Sequence, residues 1–230
     1  MSSDHNWPEF FSRLVHDLRE PLRSIHSFSQ LLGEPGPGRG RETWSADRER
    51  ALQEILSAAA TMGMLIDGIS RYGPTLAPDP VPGAASLQLA FGMATMAFDR
   101  DLAACGGTLS GENLPRLAIP LEQLNFLLEN LIGNSLKFRG PAAPAIRVTA
   151  TGPESEFWTI RVEDNGIGIA EADRESVFRP FMRVYGRKYP GAGLGLPACR
   201  NIVERFGGRI RIERAPEGGC IVAFTLPALL

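Results

Sequence analysis

The sequence has little of what marks a secreted, metal-binding or membrane-spanning protein. Its three cysteines, Cys105, Cys199 and Cys220, are odd in number and far apart. This usage is typical of reduced thiols in a cytosol rather than of a disulfide framework. Three histidines are too few to favour a zinc site. No apolar run approaches the ~20 residues that span a bilayer, and the N-terminus lacks the apolar core of a signal peptide. We therefore expect a soluble, cytoplasmic protein.

A strong charge of one sign is missing as well. The formal net charge is −2, so the chain offers no general attraction to nucleic acid or to anionic membranes. We predict no nucleic-acid partner and no membrane insertion. The 230 residues, 43% hydrophobic and 22% charged, have an ordinary globular composition and suffice for one large domain or two small ones.

Apolar side chains recur at steps of four and three in the first 70 residues, which predicts two helices that share a heptad seam. A loop rich in glycine and proline separates the helices at 33–40, and Ser45 is a candidate cap for the second helix. The seam of the first helix, residues 7–33, contains Phe11, Val15, Leu18, Leu22, Ile25 and Leu32, and that of the second contains Leu52, Ile55, Ala59, Met62, Ile66 and Ile69. A lone hairpin leaves much of this seam in water, so we predict a homodimer in which two hairpins form a four-helix bundle.

Four prolines between residues 73 and 83 predict a stiff linker and a domain boundary. The predicted division is a helical hairpin at 1–72, the linker at 73–83 and a second domain at 84–230. In that domain we expect helices at Leu87–Ala104, Leu121–Phe138 and Pro197–Phe206, and strands at Ile146–Thr151, Phe157–Glu163, Arg209–Glu213 and Cys220–Leu226. This order favours an α+β fold with helices on one face of a sheet.

The segment Val162–Ile169 combines a carboxylate with bare backbone at the end of a predicted strand. Asp164 ends the strand, and Gly166 and Gly168 follow it. Glycine lets a ligand approach the backbone closely, so the arrangement suits a planar base that carries an amino group. Taken alone, such a glycine motif is more often a simple turn.

Two other stretches suit a phosphorylated ligand. Asn130, Asn134 and Lys137 lie at spacings of four and three, hence on one helix face. An amide oxygen can ligate Mg²⁺, and a lysine can reach phosphate oxygens, although a solvated polar face explains the same residues. The glycines of Tyr189–Pro197 precede a helix, whose N-terminal N–H groups favour phosphate.

A single histidine stands out on the first helix. His16 is one step off the seam, on a polar face with Ser12, Arg19 and Arg23, so we expect an exposed imidazole. Pro21, five residues on, removes one helical hydrogen bond and favours a local kink. From this helix alone, a surface histidine without a special role remains an open alternative.

Together these stretches resemble the sequence boxes of sensor histidine kinases, in the order of that family. The matching segments are His16–Leu22 (H-box), Glu129–Phe138 (N-box), Glu163–Ile169 (G1 box), Val177–Phe181 (F-box) and Gly191–Leu196 (G2 box). The H-box and residues 181–193 are most similar to the kinase modules of bacterial phytochromes. The resemblance implies a dimerising helical hairpin followed by a GHKL-type α/β sandwich that binds ATP.

The resemblance also implies an activity and a set of site residues. The activity is ATP-dependent autophosphorylation on His16, with Asp17 as its base, and phosphotransfer to an aspartate of a response-regulator receiver domain. The implied cofactors are ATP and Mg²⁺, with Asn134 as the metal ligand. The other implied ATP-binding residues are Asn130, Lys137, Asp164, Gly166, Gly168, Arg187, Lys188, Gly193, Leu194 and Gly195.

Two departures from the family's pattern bear on function. Glu20 occupies a position where many family members carry Thr or Asn for phosphatase action, so we expect a kinase-biased enzyme. No sensory domain precedes His16 in this sequence, so the signal comes from a separate sensory protein or the chain is a fragment.

Two alternative functions remain at this stage. One is a phosphotransferase or adaptor that has kept the fold without ATP, for which a broken G1 or G2 box would be the sign; both boxes are intact. The other is a hydrolytic ATPase of the same superfamily, which places a glutamate four residues before the metal-binding asparagine. This chain has Asn130 there.

Overall fold

In the computed structural model the chain divides into two compact units. One comprises Met1–Ser70 with Pro190–Ala192, and the other comprises Arg71–Tyr189 with Gly193–Leu230. The structure describes residues 7–33, 41–77, 80, 82–216 and 218–229. The predicted loop at 34–40 and the linker residues 78, 79 and 81 lie outside these ranges. In the described ranges, no helix combines the length and the apolarity needed to cross a membrane.

The first unit is built on two helices, α1 (Trp7–Gly33) and α2 (Arg41–Tyr72). Pro21 is buried inside α1, which continues through it as one helix. The expected cap at Ser45 is wrong, because α2 already includes the four residues before it. Between residues 46 and 70 of α2, the buried apolar residues are Ala51, Ala58 and Leu65, spaced by seven. The seam therefore has the predicted heptad period.

The seam differs from the prediction at one of the two apolar positions in each heptad. The other predicted position is half-buried, as at Leu18, Ile25, Leu32, Ile55, Met62 and Ile69. Leu52 and Ile66 on α2 are each 52% exposed, and Phe11, Val15 and Leu22 on α1 are exposed as well. The prediction gave weight to the largest apolar side chains, whereas Ala51 and Ala58 fill two of the three buried positions. The larger apolar side chains remain exposed.

The second unit is organised around a mixed five-stranded sheet. The strand order is β2-β4-β5-β7-β6, in which only the β2–β4 pair is parallel. A two-stranded antiparallel pair, β1-β3, forms a separate sheet, and one bridge joins Leu117 to Ala228. The strands are β1 (Ala85–Ser86), β2 (Thr108–Glu112), β3 (Arg116–Leu117), β4 (Ala145–Glu154), β5 (Phe157–Asp164), β6 (Ile210–Arg214) and β7 (Cys220–Pro227).

Three helices supply the other half of the core. They are α3 (Leu87–Cys105), α4 (Leu121–Lys137) and α5 (Gly195–Arg205). Alternate residues of the strands, such as Ile146, Val148, Ile160 and Val162, are buried with the leucines of α4 in one cluster. The intervening positions carry charged pairs such as Arg147 with Glu163. The predicted architecture, a helical hairpin followed by an α/β sandwich with helices on one sheet face, is confirmed.

Residues 71–77, the first residues of the second unit, pack against the rest of that unit. Gly73–Leu76 form a 3₁₀ helix, and Tyr72 and Thr75 are buried. Asn201 of α5 donates to the Thr75 hydroxyl at 3.2 Å. Arg205 of α5 donates to the carbonyls of Pro74 and Ala77. The first part of the predicted linker is therefore held by α5.

Candidate functional site

The site is centred on Asp164, the last residue of β5. One carboxylate oxygen accepts the N–H of Gly166 at 2.9 Å, and the other lies 3.0 Å from the hydroxyl of Ser135 on α4. Burial is the main cause that raises the pKa of Asp164, against hydrogen bonds from Gly166, Ser135 and Cys220 that lower it. The side chain is thus fixed in orientation while it remains partly accessible to a ligand.

The turn after Asp164 lies against two other backbone segments. The N–H of Ile167 donates to the carbonyl of Phe138 at 3.0 Å. Gly168 has a φ of +72°, and a Cβ there would lie 2.9 Å from the carbonyl of Gly219. A Cβ on Gly166 would lie 2.6 Å from the Phe138 carbonyl. Larger residues would displace this turn from the end of α4.

The polar face of α4 carries the predicted residues Asn130, Asn134 and Lys137. Asn130 donates its amide N–H to the Phe126 carbonyl at 2.7 Å. Its oxygen faces the start of α5, since a Cβ on Gly195 would lie 2.9 Å from it. Burial lowers the pKa of Lys137, and the positive charge of Arg183 lowers it further. Lys137 is half-buried and Arg183 is exposed, and two cations held near each other favour an anion between them.

Residues 182–189, which we call the lid segment, begin and end near one another. At the base of this segment, the N–H of Phe181 donates to the carbonyl of Gly193 at 3.0 Å. Both residues have φ in the left-handed region, +63° for Phe181 and +71° for Gly193. The F-box residues Val177, Phe178 and Phe181 are buried and anchor this base.

Aromatic rings of the lid segment meet the end of α4. The ring of Tyr189 lies 4.8 Å, and that of Tyr185 5.8 Å, from the ring of Phe138. The Tyr185 hydroxyl donates to the carbonyl of Gly168 at 2.6 Å. Lys188 is exposed, with its amine 5.5 Å from the Tyr189 ring. The side chain of Arg187 lies outside the described residues.

His16, in the first unit, has its own local arrangement on α1. Its side chain is 79% exposed, which confirms the predicted exposure. Its Nδ1 lies 3.0 Å from a carboxylate oxygen of Asp17. A carboxylate accepts, so this bond favours the tautomer with the proton on Nδ1 and leaves the Nε2 lone pair towards solvent. Glu20, also exposed, follows one turn later.

The structure brings most of the predicted residues of the second unit together through α4. Ser135 connects α4 to Asp164, Asn130 connects it to Gly195, and Phe138 connects it to Gly166 and the lid segment. Leu194 is buried immediately before α5. Sequence reasoning missed Ser135, Phe138, Arg183 and Tyr185. Ser135 could have been found from the sequence, because it is a lone polar residue among the buried leucines of α4.

Comparison with known proteins gives these features a context. Residues 121–230 match the family described as "Histidine kinase-, DNA gyrase B-, and HSP90-like ATPase". The chain is 32% identical over 213 residues to cyanobacterial phytochrome A of Nostoc sp., and the alignment covers 92% of this chain and 27% of that protein. It is 30% identical over 232 residues to the signal transduction histidine-protein kinase AfsQ2 of Streptomyces coelicolor, covering 95% of this chain and 41% of that protein.

Solved structures give the same fold. The histidine kinase ThkA in complex with the response regulator protein TrrA matches with a TM-score of 0.70 and 18% identity, over 96% of this chain and 61% of that chain. Full-length ShkA in complex with AMPPNP matches with a TM-score of 0.61 and 21% identity, over 96% of this chain and 46% of that chain. The resemblance to sensor histidine kinases, including those of phytochrome type, is confirmed.

Proposed function

We propose that this chain, whose residues 121–230 form an ATPase domain of the histidine kinase, DNA gyrase B and HSP90 type, is the kinase module of a protein histidine kinase. It uses ATP to phosphorylate His16 and passes the phosphoryl group to an aspartate of a response-regulator receiver domain. The observation that carries this proposal is the exposed His16 ring hydrogen-bonded to Asp17, on the same chain as an ATPase domain with intact glycine boxes.

The arrangement at His16 suits a nucleophile. The Asp17 carboxylate holds the ring in one tautomer and stabilises the positive charge that develops as Nε2 bonds to phosphorus. Phosphoryl transfer asks the protein mainly for positioning and charge neutralisation. Transfer onward to a receiver takes place on the same exposed polar face, where Arg19 and Arg23 give an acidic receiver site a cationic neighbour.

The surroundings of the nucleotide-binding residues support the roles proposed for them. Asp164 accepts a hydrogen bond from the adenine amino group, because its carboxylate is buried and already oriented by Gly166 and Ser135. Lys137 and Lys188 are proposed to contact phosphates, and the resemblance implies the same role for Arg187. The backbone around Gly193, Leu194 and Gly195 faces the phosphates at the start of α5, where the helix dipole favours negative charge.

A magnesium ion fits the donor set on α4. Asn134 is half-buried on the same face as Asn130, and Mg²⁺ is typically held by one or two protein oxygens together with substrate phosphates and water. We assign Asn134 as the metal ligand and Asn130 as its neighbour in the phosphate region. The ion supplies neutralisation of phosphate charge when bound; Lys137 orients the phosphate chain.

The hairpin, residues 1–72, is proposed to dimerise. The exposed large apolar side chains of its two helices include Phe11, Val15, Leu22, Leu52, Leu56 and Ile66. Such a stripe along two helices is more than the scattered apolar residues of an ordinary monomer surface. A second hairpin of the same sequence completes a four-helix bundle.

A specific contact disfavours the hydrolytic ATPase alternative. Glu129, the carboxylate nearest the position of a water-activating base, accepts from Asn125 at 2.7 Å and pairs with Arg71 at 3.4 Å. Asn130 stands at the base position itself and cannot take a proton at neutral pH.

The chain spans only 27% and 41% of the two curated relatives described, and we propose that a separate sensory protein or a sensory region supplies the signal.

Radiolabelled ATP with Mg²⁺ tests the proposal directly. The label should be acid-labile and base-stable, as expected of phosphohistidine, and His16→Gln should abolish it while ATP affinity measured by calorimetry stays unchanged. His26→Gln, which changes the other described histidine of α1, is the matched control and should label normally. Label that persists in His16→Gln would refute the assignment of His16.

A further inference from the structure

We propose that Tyr185 is a positioning residue whose hydroxyl clasps the lid segment to the Gly168 turn and thereby sets how long a nucleotide stays bound. This inference rests on the proposed nucleotide site. It adds a residue of the lid segment that the sequence boxes do not assign to any role.

The clasp joins two segments that are remote in sequence. Tyr185 lies in the lid segment, and Gly168 lies four residues after the base-recognising Asp164. The hydroxyl donates to the Gly168 carbonyl at 2.6 Å, a short distance for a hydrogen bond between neutral groups. Burial raises the pKa of Tyr185, so the hydroxyl keeps the proton that the bond needs throughout the neutral range.

Ring packing supports the same closed position. Tyr185 and Tyr189 lie 5.9 Å apart at an interplanar angle of 71°, and both contact Phe138 at the end of α4. Within the lid segment, Arg183 donates to the Tyr189 carbonyl at 2.7 Å. The lid segment is therefore internally braced, and its contacts outside itself include the Phe138 ring and the Gly168 carbonyl.

The charges around the clasp oppose closure before a phosphate arrives. The closed lid segment holds Arg183 near enough to Lys137 to lower the pKa of that lysine. Like charges repel, so something must hold the segment closed in their presence. The Tyr185 hydrogen bond is directional and does not depend on the ligand. When a polyphosphate lies near both cations, their repulsion is replaced by attraction, and the clasp and the phosphates then close the segment together.

The test compares two substitutions that each delete one hydroxyl from the full chain. Tyr185→Phe removes the clasp and keeps the ring cluster, whereas Tyr189→Phe removes the neighbouring hydroxyl. Stopped-flow release of a fluorescent N-methylanthraniloyl ADP is the readout. We expect Tyr185→Phe to accelerate release about threefold to tenfold, the effect of one lost hydrogen bond, and Tyr189→Phe to leave the rate near that of the wild type.

Hydrogen exchange of the amides of residues 182–189, without nucleotide, gives an independent measurement. It should be faster in Tyr185→Phe than in Tyr189→Phe while the melting temperatures of all three proteins agree. Equal release rates and equal exchange in the two variants would overturn the clasp. If the wild type binds no adenine nucleotide, the proposed function fails, and the exchange comparison still decides whether the clasp exists.

Discussion

Replacing Asp164 by asparagine should weaken nucleotide binding while it strengthens the fold. The substitution keeps the shape of the side chain and removes its charge. An amide oxygen can still accept the N–H of Gly166, and an amide N–H can donate to the Ser135 hydroxyl. Ser135 can then donate to the Leu131 carbonyl, which lies 3.1 Å from its oxygen. The contacts with Gly166 and Ser135 survive, so a change in affinity reports mainly on the ligand.

The magnitude follows from the bond that is lost. The amide presents an N–H where the carboxylate presented an acceptor, so the adenine amino group loses a hydrogen bond to a charged partner. Such bonds contribute about 1.5–3 kcal/mol, which corresponds to a loss of affinity of about tenfold to a hundredfold. ATP and ADP should be affected alike, because the contact is to the base and not to the phosphates.

The effect on stability has a definite sign and pH dependence. Burial raises the pKa of Asp164 in the folded protein, so the folded state binds the proton more tightly than the unfolded state does. The wild type therefore loses stability as the pH rises from the unfolded value, about 3.9, through the folded value. Asparagine does not titrate. Asp164→Asn should therefore raise the melting temperature at pH 7, and the gain should vanish below the unfolded pKa.

Calorimetry with ATP and ADP, and thermal melts from pH 3 to 8, measure the two effects. Glu163→Gln is the matched control, because Glu163 is the adjacent carboxylate and pairs with Arg147 at 2.9 Å. We expect it to leave both nucleotide affinities unchanged. Unchanged affinities in Asp164→Asn would remove Asp164 from the adenine site, and a lower melting temperature at pH 7 would contradict the assigned cause of its pKa shift.

Two further predictions concern the hairpin. Leu22→Glu together with Leu56→Glu should convert a dimer into a monomer, because these side chains are 55% and 58% exposed in one chain and burying the charges in a dimer costs several kcal/mol. Light scattering that finds the wild type monomeric, or the double variant dimeric, would contradict the proposed bundle. Glu20 should make the protein a weak phosphatase, because its ionised side chain would face the anionic phosphate of a receiver. The decay of a purified phospho-receiver should therefore be similar with and without this protein plus ADP. Strong acceleration that Glu20→Ala removes would instead make Glu20 a working phosphatase residue.

The sequence predicted elements well where one local pattern decides them. The leucines of α4 and the alternation in β7 were sufficient to place both elements to within one residue of their observed ends. By contrast, β2 was missed because Thr108–Glu112 is short and mostly polar. Its pairing partner, β4, lies more than 30 residues away along the chain. Such a strand forms because it pairs with a neighbouring strand, and its own sequence carries no clear strand pattern.

The same distinction separates the site residues that were predicted from those that were missed. Asp164, Asn134 and Lys137 belong to recognisable local motifs. Tyr185 and Phe138 belong to the site because their rings pack together, although 47 positions separate them in the sequence. No periodicity signals that a tyrosine in a glycine-rich loop will lie on a ring at a helix end. The apolar seam of the hairpin shows a related limit, since alanines of ordinary appearance fill two of its three buried positions on α2.

The packing of residues 71–77 on α5 determines where a fragment that contains only the second unit should begin. A truncated protein that begins at residue 84, as the proline-rich segment suggests, would take away the acceptors that Pro74 and Ala77 offer to Arg205. It would also uncover the surface on which Tyr72, 2% exposed, is buried. Beginning at Arg71 keeps these contacts and the pair between Arg71 and Glu129. The longer fragment should therefore be the better starting point for crystallising the nucleotide-binding unit alone.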